Sequence, residues 1–150
     1  MFWGCFSRQG VGPIVPLFGT ATGTSHVTIL QRFVMRTMRR VFPNGDGWFQ
    51  EDNARLHTSK VAKKFHTENG LRKLSWPAQS PDLNPIENLW ADVKKSIRGR
   101  KKMPSNIAEL EQHVNKAWRK ILIQTIENLV DSMPQRIQAV IKAKGGPTKY

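Results

Sequence analysis

Two carboxylates in this 150-residue chain stand where a side chain can reach past a core: Asp52 and Glu87, with 34 residues between them. Asp52 ends the short strand-like run Trp48-Phe49-Gln50-Glu51. An acid at the carboxyl end of a strand sits where open α/β sheets place their ligands. Glu87 opens the helical pattern Ile86, Leu89, Trp90, Val93, Ile97 and lies on the border of that stripe, so its carboxylate can look sideways past the core edge. Each acid also has a plain structural reading. Glu87 is three residues after Asn84 and completes a capping box, and Asp52 is an ordinary strand-end turn acid. Spacing alone favours those readings.

The elements that must position the pair are legible. Met1–Ser7 reads as a strand, Gly10-Val11-Gly12 as a turn and Pro13–Phe18 as a second strand, hence a hairpin, near an edge because of its prolines. Thr24 or Ser25 caps a helix over about 26–42, with Val27, Leu30, Val34, Met38 and Val41 inward and Arg32, Arg36, Arg39 and Arg40 outward. Trp48–Glu51 is a short strand; period two puts Trp48, Gln50 and Asp52 on one face and Phe49 and Glu51 on the other. Thr58 or Ser59 caps the next helix, which Asn69-Gly70 ends, with Val61, Ala62 and Phe65 inward and Lys60, Lys63 and Lys64 on a basic face. Leu71–Ser75 is another strand. It feeds the rigid stretch Trp76-Pro77-Ala78-Gln79-Ser80-Pro81-Asp82-Leu83, after which Asn84 caps and Pro85 begins a helix to about 98. Ser105 caps a helix to about 122 with Ile107, Leu110, Val114, Ala117, Trp118 and Ile121 inward. Two shorter helices break near Met133-Pro134, with Ile126, Leu129, Val130, then Ile137, Val140 and Ile141 as their apolar faces, and the end after Lys144 is loose. Strands alternating with helices and then helices alone make a mixed α/β fold with a helical tail.

Charge narrows the partner. The formal net charge is +13 and the basic excess is spread along the chain, which points to a polyanion and first to nucleic acid. Six of the nine residues from Lys94 to Lys102 are basic (Lys94, Lys95, Arg98, Arg100, Lys101 and Lys102) and read as a DNA-backbone contact or a nuclear localisation signal, against a merely solvated helix end. Cys5 is the one cysteine, which excludes an internal disulfide. His26, His57, His66 and His113 lack paired zinc-ligand spacing. His57 reads first as a hydrogen-bonded turn histidine and second as a ligand or base. No apolar run approaches the ~20 residues of a membrane span, and the start lacks a signal-peptide pattern. A soluble, intracellular chain with no membrane partner is expected.

The segments Asp52-Asn53-Ala54-Arg55-Leu56-His57-Thr58 and Ser80-Pro81-Asp82-Leu83-Asn84-Pro85-Ile86-Glu87-Asn88-Leu89-Trp90, at this interval, closely resemble the transposases of the Tc/mariner superfamily. Trp3-Gly4-Cys5-Phe6-Ser7 and the ending from Ser132-Met133-Pro134 to Gly146 resemble that family too. The resemblance implies an RNase H-like catalytic domain, a mixed sheet flanked by helices, with a triad of carboxylates that holds two divalent ions, Mg²⁺ or Mn²⁺. Such hard ions prefer oxygen ligands, and a pair of them can activate a nucleophile and stabilise a leaving oxygen. Asp52 matches the family's second acid and Glu87 its third; the nearby Glu51 and Asp82 are not selected by the motifs. The first aspartate, on a central strand ahead of the Trp-Gly-Cys-Phe-Ser stretch, has no counterpart in these residues, nor do the helix-turn-helix domains. The chain therefore resembles the C-terminal portion of a transposase, with residues 1–102 as a partial catalytic domain, truncated before its central strand, and 103–150 as a helical extension packed on it.

On this reading the partners are transposon-end and target DNA, the site is two thirds complete, and the location is the nucleus. Unpaired neighbours of the missing strand lead to an expectation of low stability, self-association or pairing with intact transposase. The rival reading is a non-enzymatic basic DNA-binding or interaction module, including a decayed transposon fragment.

Overall fold

The computed structural model describes every residue except Gln79, so that residue of the Trp76–Leu83 stretch lies outside the described residues. The chain forms two compact units, one of Met1 with Leu17–Ser80 and one of Phe2–Pro16 with Pro81–Tyr150. The expected extension from residue 103 belongs with residues 81–102 in the second unit.

In the second unit, β1 (Phe2–Ser7) and β2 (Gly10–Pro16) form the expected antiparallel hairpin, pairing Phe2 with Pro16, Trp3 with Val15 and Ser7 with Gly10. The turn is Arg8-Gln9, earlier than the expected Gly10–Gly12, and Gly10 enters β2 at φ 135°, a conformation that only glycine adopts readily. Helices α4 (Ile86–Arg98) and α5 (Ile107–Arg119) then bury Leu89, Val93, Ile97, Val114 and Trp118 in one cluster. The hairpin closes over it. Trp90 stacks on Trp118 at 5.1 Å between centroids, and the Trp118 indole N–H donates to the Gly12 carbonyl at 2.9 Å. A Cβ on Gly4 would stand 3.1–3.3 Å from those two indoles, which explains a glycine inside Trp3-Gly4-Cys5-Phe6-Ser7.

Helices α6 (Ile123–Asp131) and α7 (Met133–Lys142) complete the unit. Several expected faces are corrected. Asn106, not Ser105, caps α5 through the Glu109 amide at 2.9 Å, while the Glu109 carboxylate reaches back to Ser105. Ile107, Ile137 and Ile141 are exposed; α7 turns Arg136 inward instead. Nor is the end loose. The Thr148 amide donates to Asp82 Oδ2 at 2.7 Å, and the Arg136 guanidinium lies over the Tyr150 ring. The bonds from Thr148 hold the Asp82 carboxyl below its ordinary value. The tether is therefore expected to be intact above the ordinary aspartate pKa of ~3.9 and lost as pH falls through the depressed folded value. Amide exchange at Thr148 measures it: protection should fall in acid for the wild type and be absent at all pH in Asp82→Ala, which has no side-chain acceptor.

In the first unit a single helical rod runs from α1 (Gly23–Ile29) through a π segment (Leu30–Val34) to α2 (Met35–Val41). Thr22 caps it in a reciprocal box with Ser25, ahead of the expected cap at Thr24 or Ser25. The inward residues are His26, Ile29, Leu30, Val34 and Val41, with Val27 and Met38 only half-buried; the wider π turn displaces the regular stripe. Ser59 caps α3 (Lys60–Glu68) as expected, and Gly70 leaves it at φ 59°. Ala62 and Phe65 are buried there, but Val61 is exposed.

The strands expected at 48–51 and 71–75 reduce, among the described residues, to one parallel bridge. The Phe49 N–H donates to Arg72 O and the Leu74 N–H to Phe49 O. Pairing stops because Asp52 accepts from the Ala54 amide and turns the chain at once, while Pro77 cannot donate. The inside–outside alternation survives: Phe49 and Glu51 are buried, Trp48 and Asp52 exposed.

Candidate active site

Asp52 sits at the head of a turn built by its own motif. Its Oδ1 accepts the Ala54 N–H at 2.9 Å, and His57 Nδ1 lies 2.6 Å from the same oxygen. The Asn53 amide donates to Trp76 O at 2.6 Å, tying the turn to the chain segment that leads toward the second acid. Thr58 Oγ1 donates to Ala54 O and Ser59 Oγ to Leu56 O, so the side chains of Asp52, Asn53, His57, Thr58 and Ser59 each close part of the loop. The side chain of Asp52 remains 55% exposed, fixed through one oxygen. His57 is thus the turn histidine, and its bond orients the acid.

Glu87 lies in the first turn of α4 and is exposed. The expected capping box is absent. Pro81–Leu83 form a 3₁₀ turn, Pro85 already has helical angles (φ −67°, ψ −12°), and no side chain caps the helix. The Glu87 amide bonds the Asn84 carbonyl at 3.1 Å, so the helix grows directly out of the preceding turn. The carboxylate is left for other use, at a helix end whose positive pole favours an anion. Its frame is held from both sides by Arg136, which donates to Asp82 O and to Asn88 Oδ1, each at 2.9 Å.

The sequence reading missed a buried polar cluster beside Asp52. Glu51 is 8% exposed. Lys73 Nζ donates to its Oε1 at 2.8 Å, His66 Nε2 lies 3.2 Å from that oxygen, and His26 Nε2 lies 2.9 Å from Oε2. Burial opposes ionisation of Glu51, but contacts with His26, His66 and Lys73 and the nearby His57 outweigh it and hold the carboxyl well below the usual range. The histidines, 31 and nine residues apart, offer no local spacing to read. The available signal was the period-two alternation, which puts Glu51 on the inward face with Phe49 and so requires partners for its charge.

A family model described as "DDE superfamily endonuclease" matches residues 16–111, which include both motif acids. The chain belongs to this DDE endonuclease family. It is 38% identical over 152 residues to the transposase of the transposable element Tcb1 of Caenorhabditis briggsae, and 34% identical over 154 residues to that of Tc1 of Caenorhabditis elegans. In both cases the match covers 100% of this chain and 54% of the relative, so the chain spans about half the length of these curated relatives. The catalytic domain of Mos1 mariner transposase superposes with a TM-score of 0.86 at 17% identity, over 99% of this chain and 75% of that one. The fold is therefore RNase H-like, as expected. Mos1 catalytic-domain structures with Raltegravir and Mg or Mn match at the same TM-score of 0.86, and the Mos1 paired-end complex with left transposon end matches at 0.82.

The basic residues of this DDE chain fall in both units. Lys60, Lys63 and Lys64 are exposed on α3. Lys94, Lys95 and Arg98 are exposed on α4, where with Ala91 and Gly99 they line a shallow hollow, and Arg100, Lys101 and Lys102 continue the exposed run. Among the described residues, no helix is long and apolar enough to cross a membrane.

Proposed function

We propose that the chain carries the DNA-cleaving and strand-transfer site of a Tc1/mariner-type transposase, with Asp52 and Glu87 as two of the carboxylates that hold divalent ions, Mg²⁺ or Mn²⁺. The observation that carries the proposal is a pair of exposed motif carboxylates, neither consumed by a helix cap or a buried ion pair, in a chain of the DDE family. Their donor chemistry fits. Both offer oxygen, which Mg²⁺ and Mn²⁺ prefer. When bound, such ions polarise the scissile phosphodiester and activate the attacking water or 3′-hydroxyl.

The chain's own residues do the rest. The Ala54 amide and His57 hold one oxygen of Asp52 in place, and Arg136 steadies the turn that presents Glu87. Lys60, Lys63, Lys64 and the 94–102 run neutralise DNA phosphates, and the same run directs the protein to the nucleus. These 150 residues supply two of the family's three carboxylates, so the chain expressed alone is expected to bind DNA without efficient cleavage. The binding should weaken steeply with salt, the slope reporting the phosphates neutralised.

The test has two arms. Mn²⁺ affinity of the chain should fall in both Asp52→Asn and Glu87→Gln. A chain extended upstream with an aspartate-bearing strand should nick supercoiled plasmid in Mg²⁺, and either substitution should abolish nicking. Undiminished Mn²⁺ binding in both variants would overturn the metal assignment. DNA binding that ignores salt would overturn the phosphate contacts. Robust nicking by the 150-residue chain that Glu87→Ala abolishes would show that the family's first aspartate is dispensable. A second reading, a non-catalytic DNA-binding module that pairs with intact transposase, is favoured by the exposed basic surfaces and would be marked by salt-sensitive binding with no cleavage in the extended chain.

A further inference from the structure

We propose that His26, Glu51 and His57 form a binding site for a borderline transition-metal ion, Zn²⁺ being the best fit, separate in its donor chemistry from the carboxylate pair. One ligand atom from each of the three residues lies within 4.8 Å of the others. Glu51 Oε2 is 2.9 Å from His26 Nε2 and 3.9 Å from His57 Nδ1, and the two imidazole rings are 4.4 Å apart at 42°. Tetrahedral zinc with bonds of ~2.0–2.1 Å places its ligand atoms ~3.3 Å apart. Small side-chain rotations bring these atoms to that separation.

The donors are also waiting. Lys73 and His66 occupy Glu51 Oε1, whereas Oε2 and both nitrogens of His26 are buried without a hydrogen bond; the 2.9 Å contact between them is close but misaligned. Buried polar groups left unpaired are costly, and an ion between them would satisfy them together. Two imidazoles and one carboxylate, with a fourth position open to water, form a zinc donor set, whereas Mg²⁺ demands six oxygens. Lys73 opposes a dication and sets the affinity below that of a closed structural zinc site. Since His57 Nδ1 also holds Asp52, metal binding through that nitrogen would exchange the Asp52 hydrogen bond for a metal bond.

The wild-type 150-residue chain, titrated with Co²⁺, should show the visible bands of a four-coordinate ion, displaced by one equivalent of Zn²⁺ and indifferent to a large excess of Mg²⁺. X-ray absorption at the zinc edge should read two imidazoles. His57→Ala, at a side chain 17% exposed, should lose the bands while far-UV circular dichroism is unchanged; Glu87→Gln should keep them. Bands that persist in His57→Ala, bands that Mg²⁺ displaces, or a zinc edge showing oxygen ligands alone would overturn the site. The wild-type edge spectrum decides the matter even if a variant fails to fold. None of these readouts depends on DNA cleavage, so the zinc site and the transposase reading fail separately.

Discussion

Glu51→Ala is expected to destabilise the first unit by about 3–5 kcal/mol, the cost of breaking a buried ion pair from one side. The loss arises from what remains rather than from what leaves. Lys73 Nζ and His66 Nε2 both converge on Glu51 Oε1, and His26 stands against Oε2, all within a site from which water is largely excluded. Without the carboxylate, Lys73 must carry its charge outward on its flexible stem, and the two histidines lose the anion that orients them. Domain stabilities of ~5–15 kcal/mol make this a large fraction of the whole. Glu51→Gln keeps the shape and one acceptor and should cost less. Urea unfolding followed by tryptophan fluorescence, with chelator present so that no metal contributes, checks the value. Lys73→Met placed on Glu51→Ala should recover part of the loss, because it removes the stranded charge. A loss below about 1 kcal/mol would place the cluster among solvent-screened pairs and contradict its burial.

Why this cluster escaped a reading of the sequence, while the two motif acids did not, follows from how each is made. Asp52 and Glu87 are set by local chemistry: an Asx turn at the end of an extended run and the first turn of an amphipathic helix. Both are written in adjacent residues, and so are the hairpin, the Ser59 cap and the Leu89–Val93–Ile97 stripe. The environment of Glu51 is assembled from α1, the turn at 52–59, α3 and Lys73, and no periodicity relates those segments. The π segment inside the first helix is similarly invisible, since its effect is to move the buried face from Val27 to His26. At Glu87 local chemistry misled. Asn84 and Glu87 have capping-box spacing, but a 3₁₀ turn feeds Pro85 straight into helical geometry and the cap is not needed. The strands at 48–51 and 71–75 were over-read because apolar alternation reports which side faces inward, not how far a ladder extends.

Arg136→Ala is the second substitution with a large expected effect, about 3 kcal/mol on the second unit, and its consequence reaches Glu87. Arg136 is 2% exposed on a helix whose neighbouring isoleucines are exposed, an inversion of the usual pattern. Its planar fork explains this. Nε donates to Ser132 Oγ at 2.8 Å, Nη1 to the Asp82 carbonyl and Nη2 to Asn88 Oδ1, while Tyr150 covers its face. Hydrogen bonds from a charged group contribute ~1.5–3 kcal/mol each, and part of that returns when Asn88, which is exposed, is rehydrated. Arg136→Lys should recover less than half, because one ammonium cannot reach three acceptors in a plane. Asp82 and Asn88 bracket Glu87, so losing the fork frees both sides of the turn that presents the carboxylate. Amide exchange should therefore quicken at residues 82–84 and 87–90 beyond the global change in stability, and Mn²⁺ affinity should fall although Arg136 makes no contact with the ion. Exchange that rises uniformly across α4 and α5, with Mn²⁺ affinity intact, would mean that Arg136 only holds the unit together and does not position Glu87.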